Sequence, residues 1–166
     1  MKTNTVIILG SARNDGNTRR LVDELALKTG WDIINLNDYT ISQYDYANIN
    51  TDDDYMPLIT KIIAAYDVFV FATPVYWYAM SGVMKTFFDR FTDLITINKE
   101  LGRQLRLKKM AVISSSVGDN LGDNFWLPFT ATANYLGMYY IGNVHTIANF
   151  DNDELIGRFV GSINNS

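Results

Sequence analysis

The sequence predicts an α/β fold in which a five-stranded parallel sheet lies between two layers of helices, as a single domain over residues 1–166. Two observations predict it. Five short apolar runs alternate with segments whose apolar residues recur at helical spacing, and parallel strands are joined by helices that cover both faces of the sheet. The length of 166 residues is near the ~150 typical of one domain. For five such strands the expected order is 2-1-3-4-5.

Each predicted element follows from a local pattern. Residues 6–9 are apolar and β-branched, which is typical of a strand buried on both faces. The other strands are predicted over residues 31–36, 68–72, 109–113 and 138–144, and the helices over residues 18–28, 56–65, 81–95, 123–136 and 152–163. Asn17 or Thr18 is the predicted N-cap of the first helix, and Ser81 is that of the third.

Several polar residues are given structural interpretations. Residues 37–54 are interpreted as a long surface excursion, whose three aspartates at 52–54 are solvated beside a helix N-terminus rather than ligands of a metal. Lys85 and Asp89 are interpreted as an exposed helical pair. Arg90 flanks the apolar face of the third helix, and we expect it to anchor loops rather than to bind substrate.

Composition excludes several functional classes. The chain is 48% hydrophobic and 19% charged, as in globular proteins, and its 14 basic and 18 acidic residues form no basic stripe that would bind nucleic acid. No apolar run approaches the ~20 residues of a membrane span, and the N-terminus leads into a strand without a signal peptide, so a cytoplasmic location is expected. The sequence has no cysteine. Any redox chemistry must therefore come from a bound cofactor.

Residues 10–18 form a strand-to-helix turn that is predicted to bind phosphate, because the first N–H groups of a helix and the positive end of its dipole favour an anion. Gly10 and Gly16 are interpreted as permitting a tight, close backbone path. The residues expected at the phosphate are Ser11, Arg13, Gly16, Asn17 and Thr18. The stretch matches neither the P-loop nor the Gly-x-Gly-x-x-Gly pattern. An ordinary turn that uses Gly and Asn only for geometry is the alternative.

Two further segments follow predicted strands, and the carboxyl ends of parallel strands share one edge of the sheet. The segment after the third strand contains Pro74, Val75, Tyr76 and Trp77, on which a flat ring could stack. The segment after the fourth strand offers small side chains and N–H groups for the polar edge of such a ring, from Ser114, Ser115, Ser116 and Gly118. Together with the phosphate-binding turn, these segments predict a mononucleotide-like cofactor.

Residues 10–18 and 73–90 resemble the flavodoxin-like NAD(P)H-dependent FMN reductases. The matching patterns are Gly-Ser-x-Arg-x-x-Gly-Asn-Thr and Thr-Pro-Val-Tyr-Trp-x-x-x-Ser-Gly-x-x-Lys-x-x-x-Asp-Arg. The resemblance implies a flavodoxin-like three-layer sandwich, FMN as cofactor, NADPH or NADH as electron donor, and a homodimer. It also implies that Ser11, Arg13, Asn17 and Thr18 hold the FMN phosphate, that residues 74–77 line the isoalloxazine and that residues 114–118 meet its pyrimidine side. Tyr78 stands where relatives often have Gly.

Two functional hypotheses remain open at this point. One is an enzyme that takes hydride from NADPH or NADH onto FMN and reduces a flavin, a quinone, an azo compound or a nitro compound. The other is a flavodoxin-type electron carrier. Arg13 and the pattern over residues 76–90 favour the enzyme. His145 ends the fifth predicted strand at the same rim, where a strand-end hydrogen bond is favoured over a role beside the flavin.

Overall fold

The computed structural model describes residues 4–50, 52–119 and 121–166. Five strands within them form one parallel sheet of order β2-β1-β3-β4-β5. The strands are β1 (Thr5–Leu9), β2 (Asp32–Asn35), β3 (Val68–Pro74), β4 (Lys109–Ser116) and β5 (Tyr139–Ile147). Each neighbouring pair is parallel. The predicted fold class and strand order are therefore confirmed.

Helices cover both faces of this sheet. They are α1 (Asn17–Thr29), α2 (Tyr55–Ala65), α3 (Gly82–Asp89), α4 (Phe91–Thr96), α5 (Lys99–Arg103), α6 (Leu127–Leu136) and α7 (Asp153–Asn164). Apolar residues of α1 and α7 pack on one face, and those of α2, α3, α4 and α6 pack on the other, in the larger of two buried clusters. Within the described ranges, no helix is long and apolar enough to cross a membrane.

Three strands extend further than the apolar runs predict. β3 continues to Pro74, β4 to Ser116 and β5 to Ile147. The ladder pairs Thr73 with Ser114 and continues to the strand ends, because hydrogen bonding between neighbouring strands overrides the weak strand preference of serine and proline. The polar residues at this edge therefore lie on strand ends, and the prediction that the serines at 114–116 form a loop is wrong.

The edge strand β5 contains an irregularity. Met110 of β4 pairs with Tyr140, whereas the next residue, Ala111, pairs with Gly142, so one residue of β5 has no partner in the ladder. This arrangement is a β-bulge, which bends the strand and increases its local twist.

The third predicted helix is broken in two. Ser81 is its N-cap as predicted, since its Oγ accepts a hydrogen bond from the Met84 N–H at 3.1 Å. The helix ends at Asp89, and α4 begins after Arg90. The turn at Arg90 interrupts the helical period, and Ile95, which continuous helical spacing over residues 81–95 would place on the apolar face, is 39% exposed.

A buried cluster lies beside this break, and we call Arg90, Asp53, Asp93 and Tyr55 the Arg90 cluster. The Arg90 guanidinium donates to Asp93 Oδ2 at 2.7 Å, to the carboxylate of Asp53 and to the Ser42 carbonyl oxygen at 3.0 Å. It also lies 4.6 Å from the centroid of the Tyr55 ring. The expectation that Arg90 anchors loops is confirmed.

The excursion over residues 37–54 is held by its own aspartates. Asp53 Oδ2 accepts from the Ser42 N–H at 2.8 Å, and Asp54 Oδ2 accepts from the Thr40 N–H at 2.7 Å. The prediction of a solvated aspartate is wrong for Asp53, whose side chain is only 5% exposed because it pairs with Arg90. The described residues contain no group of three or more His, Cys, Asp or Glu side chains that could hold a metal ion.

Candidate functional site

A cavity of about 260 Å³ lies at the carboxyl edge of the sheet, and we call it the rim cavity. It is bordered by the β1–α1 loop, by the segment after β3 and by the end of β4. Its lining residues are Ser11, Arg13, Gly16, Asn17, Thr18, Pro74, Val75, Tyr76, Ser115, Ser116 and Val117. Three segments that are distant in sequence therefore meet at the edge where this fold places ligands.

The start of α1 opens onto the rim cavity. The helix begins at Asn17 after Gly16, with no side-chain cap and no acidic residue in its first turn. The prediction that Asn17 or Thr18 is the N-cap is wrong, because Gly16 occupies that position. The first N–H groups of a helix have no intrahelical acceptor, so this end presents donors and positive potential to the cavity.

The β1–α1 loop, residues 10–16, is held tightly against α3. The Gly10 N–H donates to the Ala72 carbonyl oxygen at 2.9 Å, and the Ser81 hydroxyl donates to the Gly10 carbonyl oxygen at 2.7 Å. A Cβ at Gly10 would lie 2.9 Å from the Cβ and 3.0 Å from the Cα of Met84. The predicted need for glycine is therefore confirmed at this position, by close approach to a helix backbone.

Gly16 differs from Gly10 in this respect. Its backbone is extended, with φ −79° and ψ 178°, and the nearest described atom to an added Cβ would be the Arg13 Cβ at 3.6 Å. Other residues adopt this conformation readily. The loop path does not require glycine there, contrary to the prediction.

Charge at the rim cavity comes from one side chain. Among the described lining residues, Arg13 is the one that carries a formal charge. It is exposed and lies 3.5 Å from Asp15, an exposed pair of small energetic value. A guanidinium beside an uncapped helix start suits a phosphate group, which it can contact with two parallel hydrogen bonds.

Two asparagines, one at the end of β2 and one just after it, also support the β1–α1 loop, and sequence reasoning missed them. Asn35 Nδ2 donates to Asn14 Oδ1 at 3.1 Å, and Asn37 Nδ2 donates to the same oxygen at 3.1 Å and to the Ser11 carbonyl oxygen. The sequence could have indicated them, because they are two amides at the end of the apolar run that forms β2, and β2 lies beside β1 in the sheet.

The aromatic segment after β3 forms a tight turn. Tyr76 and Ala79 exchange backbone hydrogen bonds of 2.9 and 3.0 Å, and the two residues between them have positive φ, 49° for Trp77 and 62° for Tyr78. A two-residue turn with two positive φ values favours Asn-Gly, and each L-residue there costs roughly 1–2 kcal/mol. Trp77 is 95% exposed and does not line the rim cavity, whereas Pro74, Val75 and Tyr76 do. That Trp77 contacts a ring stays a prediction.

The four residues predicted around β4 divide between two positions. Ser115 and Ser116 line the rim cavity, as does Val117, which the sequence analysis did not single out. Ser114 is fully buried, and Gly118 does not line the cavity. Ser114 and Gly118 instead contact His145.

His145 is fixed at both ring nitrogens. Its Nδ1 lies 2.8 Å from Ser114 Oγ, and its Nε2 lies 3.0 Å from Ser116 Oγ and 3.2 Å from the Gly118 carbonyl oxygen. The Ser116 hydroxyl also donates to the Gly118 carbonyl oxygen at 2.7 Å. The interpretation of His145 as a strand-end hydrogen-bonding residue is therefore confirmed.

A larger cavity of about 400 Å³ lies beside the other side of α1 and shares Asn17 and Ser115 with the rim cavity. Its charged lining residues are Arg20, Glu24, Asp151 and Asp153. Acidic side chains outnumber the single cation there. This cavity is therefore less suited to an anionic ligand than the rim cavity, in spite of its size.

Comparisons with known proteins agree with this geometry. The model of the NADPH-dependent FMN reductase family matches residues 3–153. A relative named as the NAD(P)H-dependent FMN-containing oxidoreductase YwqN, from Bacillus subtilis, is 30% identical over 122 residues, which cover 69% of this chain and 66% of the relative. The chain thus spans slightly less than two thirds of that relative.

Solved structures give the same fold. The Trp repressor binding protein from Bacillus subtilis has a TM-score of 0.73 at 26% identity, with 98% of this chain and 99% of that chain covered. The FMN-dependent NADH-azoreductase from Bacillus anthracis, solved in complex with FMN, has a TM-score of 0.65 at 16% identity, with 97% and 96% covered. At 16% identity the likeness shows the fold alone.

Proposed function

Because the chain belongs to the NADPH-dependent FMN reductase family, we propose that it is an FMN-dependent oxidoreductase that takes hydride from NADPH or NADH and reduces a small-molecule acceptor. Flavins, quinones, azo compounds and nitro compounds are the acceptor classes. The observation that carries the proposal is the rim cavity, where an uncapped helix start and Arg13 face the same space as Tyr76 and Ser116. An anionic end and a flat ring can be held there together.

The lining residues fit FMN. Ser11, Arg13, Gly16, Asn17 and Thr18 would hold the phosphate with hydroxyl, amide, guanidinium and backbone donors, and the close approach of Gly10 to α3 keeps that loop tight. Pro74, Val75 and Tyr76 would contact the ring, while Ser115, Ser116 and Val117 border its polar side. When bound, FMN supplies the chemistry of accepting a hydride and passing electrons onward.

The chain's own contribution to such a reaction is positioning. Among the described residues that line the rim cavity, no pair of side chains could act as general acid and general base. Hydride transfer requires the donor and the acceptor to be held close and aligned, and this alignment alone lowers the barrier substantially. We expect the nicotinamide donor and the final acceptor to use this single opening in turn, which gives parallel double-reciprocal plots.

The proposal is tested by comparing FMN with riboflavin, which lacks the phosphate. The purified apoprotein should bind FMN at least tenfold more tightly, since ion-assisted hydrogen bonds contribute about 1.5–3 kcal/mol. Titration with quenching of flavin fluorescence measures both affinities. Equal affinity for the two flavins would contradict a phosphate site at α1.

A second experiment separates the enzyme from a flavodoxin-type electron carrier of the same architecture. The FMN-loaded protein is mixed anaerobically with NADPH or NADH, with no other protein present. Loss of the oxidised flavin absorbance within seconds supports the reductase. An unchanged spectrum, in a sample that dithionite still bleaches, supports the carrier.

The proposal includes a homodimer in the cytoplasm. The turn over residues 76–79 exposes Trp77 and Tyr78, an apolar surface that a second copy could cover. The absence of cysteine from the sequence fits a reducing compartment in which NADPH and NADH are available. Light scattering of the wild type should give the mass of two chains, and the mass measured for the Trp77→Ser variant should lie closer to that of one chain. The mass of a single chain for the wild type would contradict the dimer.

A further inference from the structure

The end of β4 is connected to its neighbour strand by an imidazole. Ser114 of β4 pairs in register with His145 of β5, and side chains two residues apart on a strand point to the same face, so Ser114, Ser116 and His145 share one face of the sheet. Ser114 is fully buried, whereas Ser116 lines the rim cavity. The His145 ring therefore spans the distance from the core to the cavity wall.

The hydrogen-bond pattern assigns the tautomer of this ring. A carbonyl oxygen can only accept, so His145 Nε2, at 3.2 Å from the Gly118 carbonyl oxygen, carries the proton. The Ser116 hydroxyl donates its hydrogen to that carbonyl oxygen, so its oxygen accepts from the same Nε2–H. Nδ1 then accepts from the Ser114 hydroxyl at 2.8 Å. Every donor in the set has an acceptor.

This assignment gives the two ring nitrogens different tasks. Nδ1 is bound to a buried residue within the sheet. Nε2 holds the chain at the end of β4 through Ser116 and Gly118. Those two residues flank Val117, which lines the rim cavity. Since both nitrogens are engaged within the protein, the ring is arranged to fix a segment rather than to exchange protons with a ligand.

We propose that His145 is a positioning residue for flavin binding, which sets the conformation of residues 116–118 against the ring portion of FMN through its Nε2–H. The inference rests on the proposed function, because FMN is the ligand whose affinity should respond. Ser116 and Val117 line the cavity on a different side from the start of α1, so the effect of His145 should concern the ring and not the phosphate.

Two substitutions separate the two nitrogens. The amide of glutamine reaches the position of Nε2, so His145→Gln can still donate to Gly118 and Ser116. The shorter asparagine reaches only the position of Nδ1, so His145→Asn keeps the Ser114 contact and loses the other. Asn143→Ala is the matched control, since Asn143 lies two residues earlier on the same strand and bonds the Tyr140 hydroxyl away from the cavity.

Titration of each apoprotein with FMN and with riboflavin measures the effect. His145→Asn should weaken both flavins by the same factor, about tenfold, the value of one lost hydrogen bond. The flavin affinities of His145→Gln should remain within about threefold of those of the wild type, and those of Asn143→Ala should equal the wild-type values. Equal losses in the asparagine and glutamine variants, an unchanged affinity in His145→Asn, or a loss confined to FMN would each overturn the proposal.

A ligand-free measurement distinguishes failure of this inference from failure of the proposed function. The chain has one histidine, so the imidazole nitrogen signals of the ¹⁵N-labelled apoprotein belong to His145. The neutral ring should show a protonated Nε2 and an unprotonated Nδ1. The opposite tautomer overturns the positioning role whatever the flavin results. The expected tautomer in a wild type that binds no flavin would overturn the proposed function, and with it the role of His145 in flavin binding.

Discussion

The β1–α1 loop and the excursion over residues 37–54 both follow strands at the same edge of the sheet, and they are held in opposite ways. The first is fixed by Gly10 against α3 and by the amides of Asn35 and Asn37, and it leaves the donors at the start of α1 directed to the rim cavity. The second is fixed by side chains, because Arg90 and Asp53 form their hydrogen bonds within the protein. A segment can bind a ligand only if its polar groups are not already satisfied internally, and this difference supports the proposal that the first loop is the binding one.

The largest expected effect comes from breaking the Arg90 cluster. Arg90→Met should lower the free energy of unfolding by about 3–5 kcal/mol, because it leaves the carboxylates of Asp53 and Asp93 buried without a partner. Urea denaturation of the apoprotein measures the loss. The triple variant with Asp53→Asn and Asp93→Asn should recover part of it, since the uncompensated charges are then removed. A single variant as stable as the wild type would show that the cluster does not hold the excursion.

The next effect concerns binding rather than folding. Arg13→Ala should weaken FMN binding by about 1.5–3 kcal/mol and leave riboflavin binding unchanged, because we propose that the guanidinium contacts the phosphate. Arg13→Lys is the conservative control and should recover only part of the affinity, since an ammonium cannot make the paired contact. Fluorescence titration gives all of these values. If Asn17→Ala costs more than Arg13→Ala, neutral donors hold the phosphate instead.

Within the β1–α1 loop, the two glycines should respond differently. Gly10→Ala should destabilise the protein by about 1–3 kcal/mol, since its Cβ would overlap the backbone of α3 near Met84. Gly16→Ala should cost less, about 0.5–1 kcal/mol, because its extended backbone and the surrounding space accept a methyl group and only the N-cap preference for glycine over alanine is lost. Thermal unfolding of the two apoproteins compares them directly. Equal losses would mean that both positions, and not only the contact with α3, constrain the loop.

Acid should act on the excursion before the β1–α1 loop. Burial raises the pKa of Asp53, but hydrogen bonds from Arg90 and from the Ser42 and Tyr55 N–H groups outweigh it, so the pKa lies below its ordinary value of 3.8. The folded state therefore favours the ionised carboxylate. Its stabilisation is complete above the pKa of the unfolded chain and is lost as pH falls through the lower folded pKa.

Urea unfolding midpoints measured between pH 5 and pH 2.5 check this dependence. The wild type should lose more stability over that range than Asp53→Asn, which has no carboxylate to protonate at this position. Parallel curves for the two proteins would show that Asp53 does not contribute to acid unfolding.

The sequence predicted the strands because apolar runs and helical spacing are local patterns, and the strand order followed from what is expected of a five-stranded parallel sheet. It did not predict the extension of β4 to Ser116, since three serines carry no strand signal and pairing with β3 and β5 orders them. The helix break at Arg90 had no glycine or proline to mark it. Arg90, at the break, bonds with Asp53, which is 37 residues away and outside any local pattern.

The candidate site was predicted in the same uneven way. The β1–α1 loop was found because strand, glycine, amide and helix follow one another within residues 10–18. The turn at Trp77 and Tyr78 was not predicted, because it holds two aromatic residues at positive φ, a conformation that their residue types disfavour. The support from Asn35 and Asn37 depends on β2 lying beside β1, so it emerges only once the strand order is known.

The irregular pairing of β5 has a consequence for solubility. β5 spans nine residues at the edge of the sheet, and its outer backbone groups form a template to which a strand of another molecule could add. The bulge opposite Met110 and Ala111 bends and twists that edge, so a straight incoming strand cannot match it along its length. A deletion that restores regular pairing there would be expected to raise the tendency of the protein to form β-aggregates, even where the remainder of the fold is unchanged.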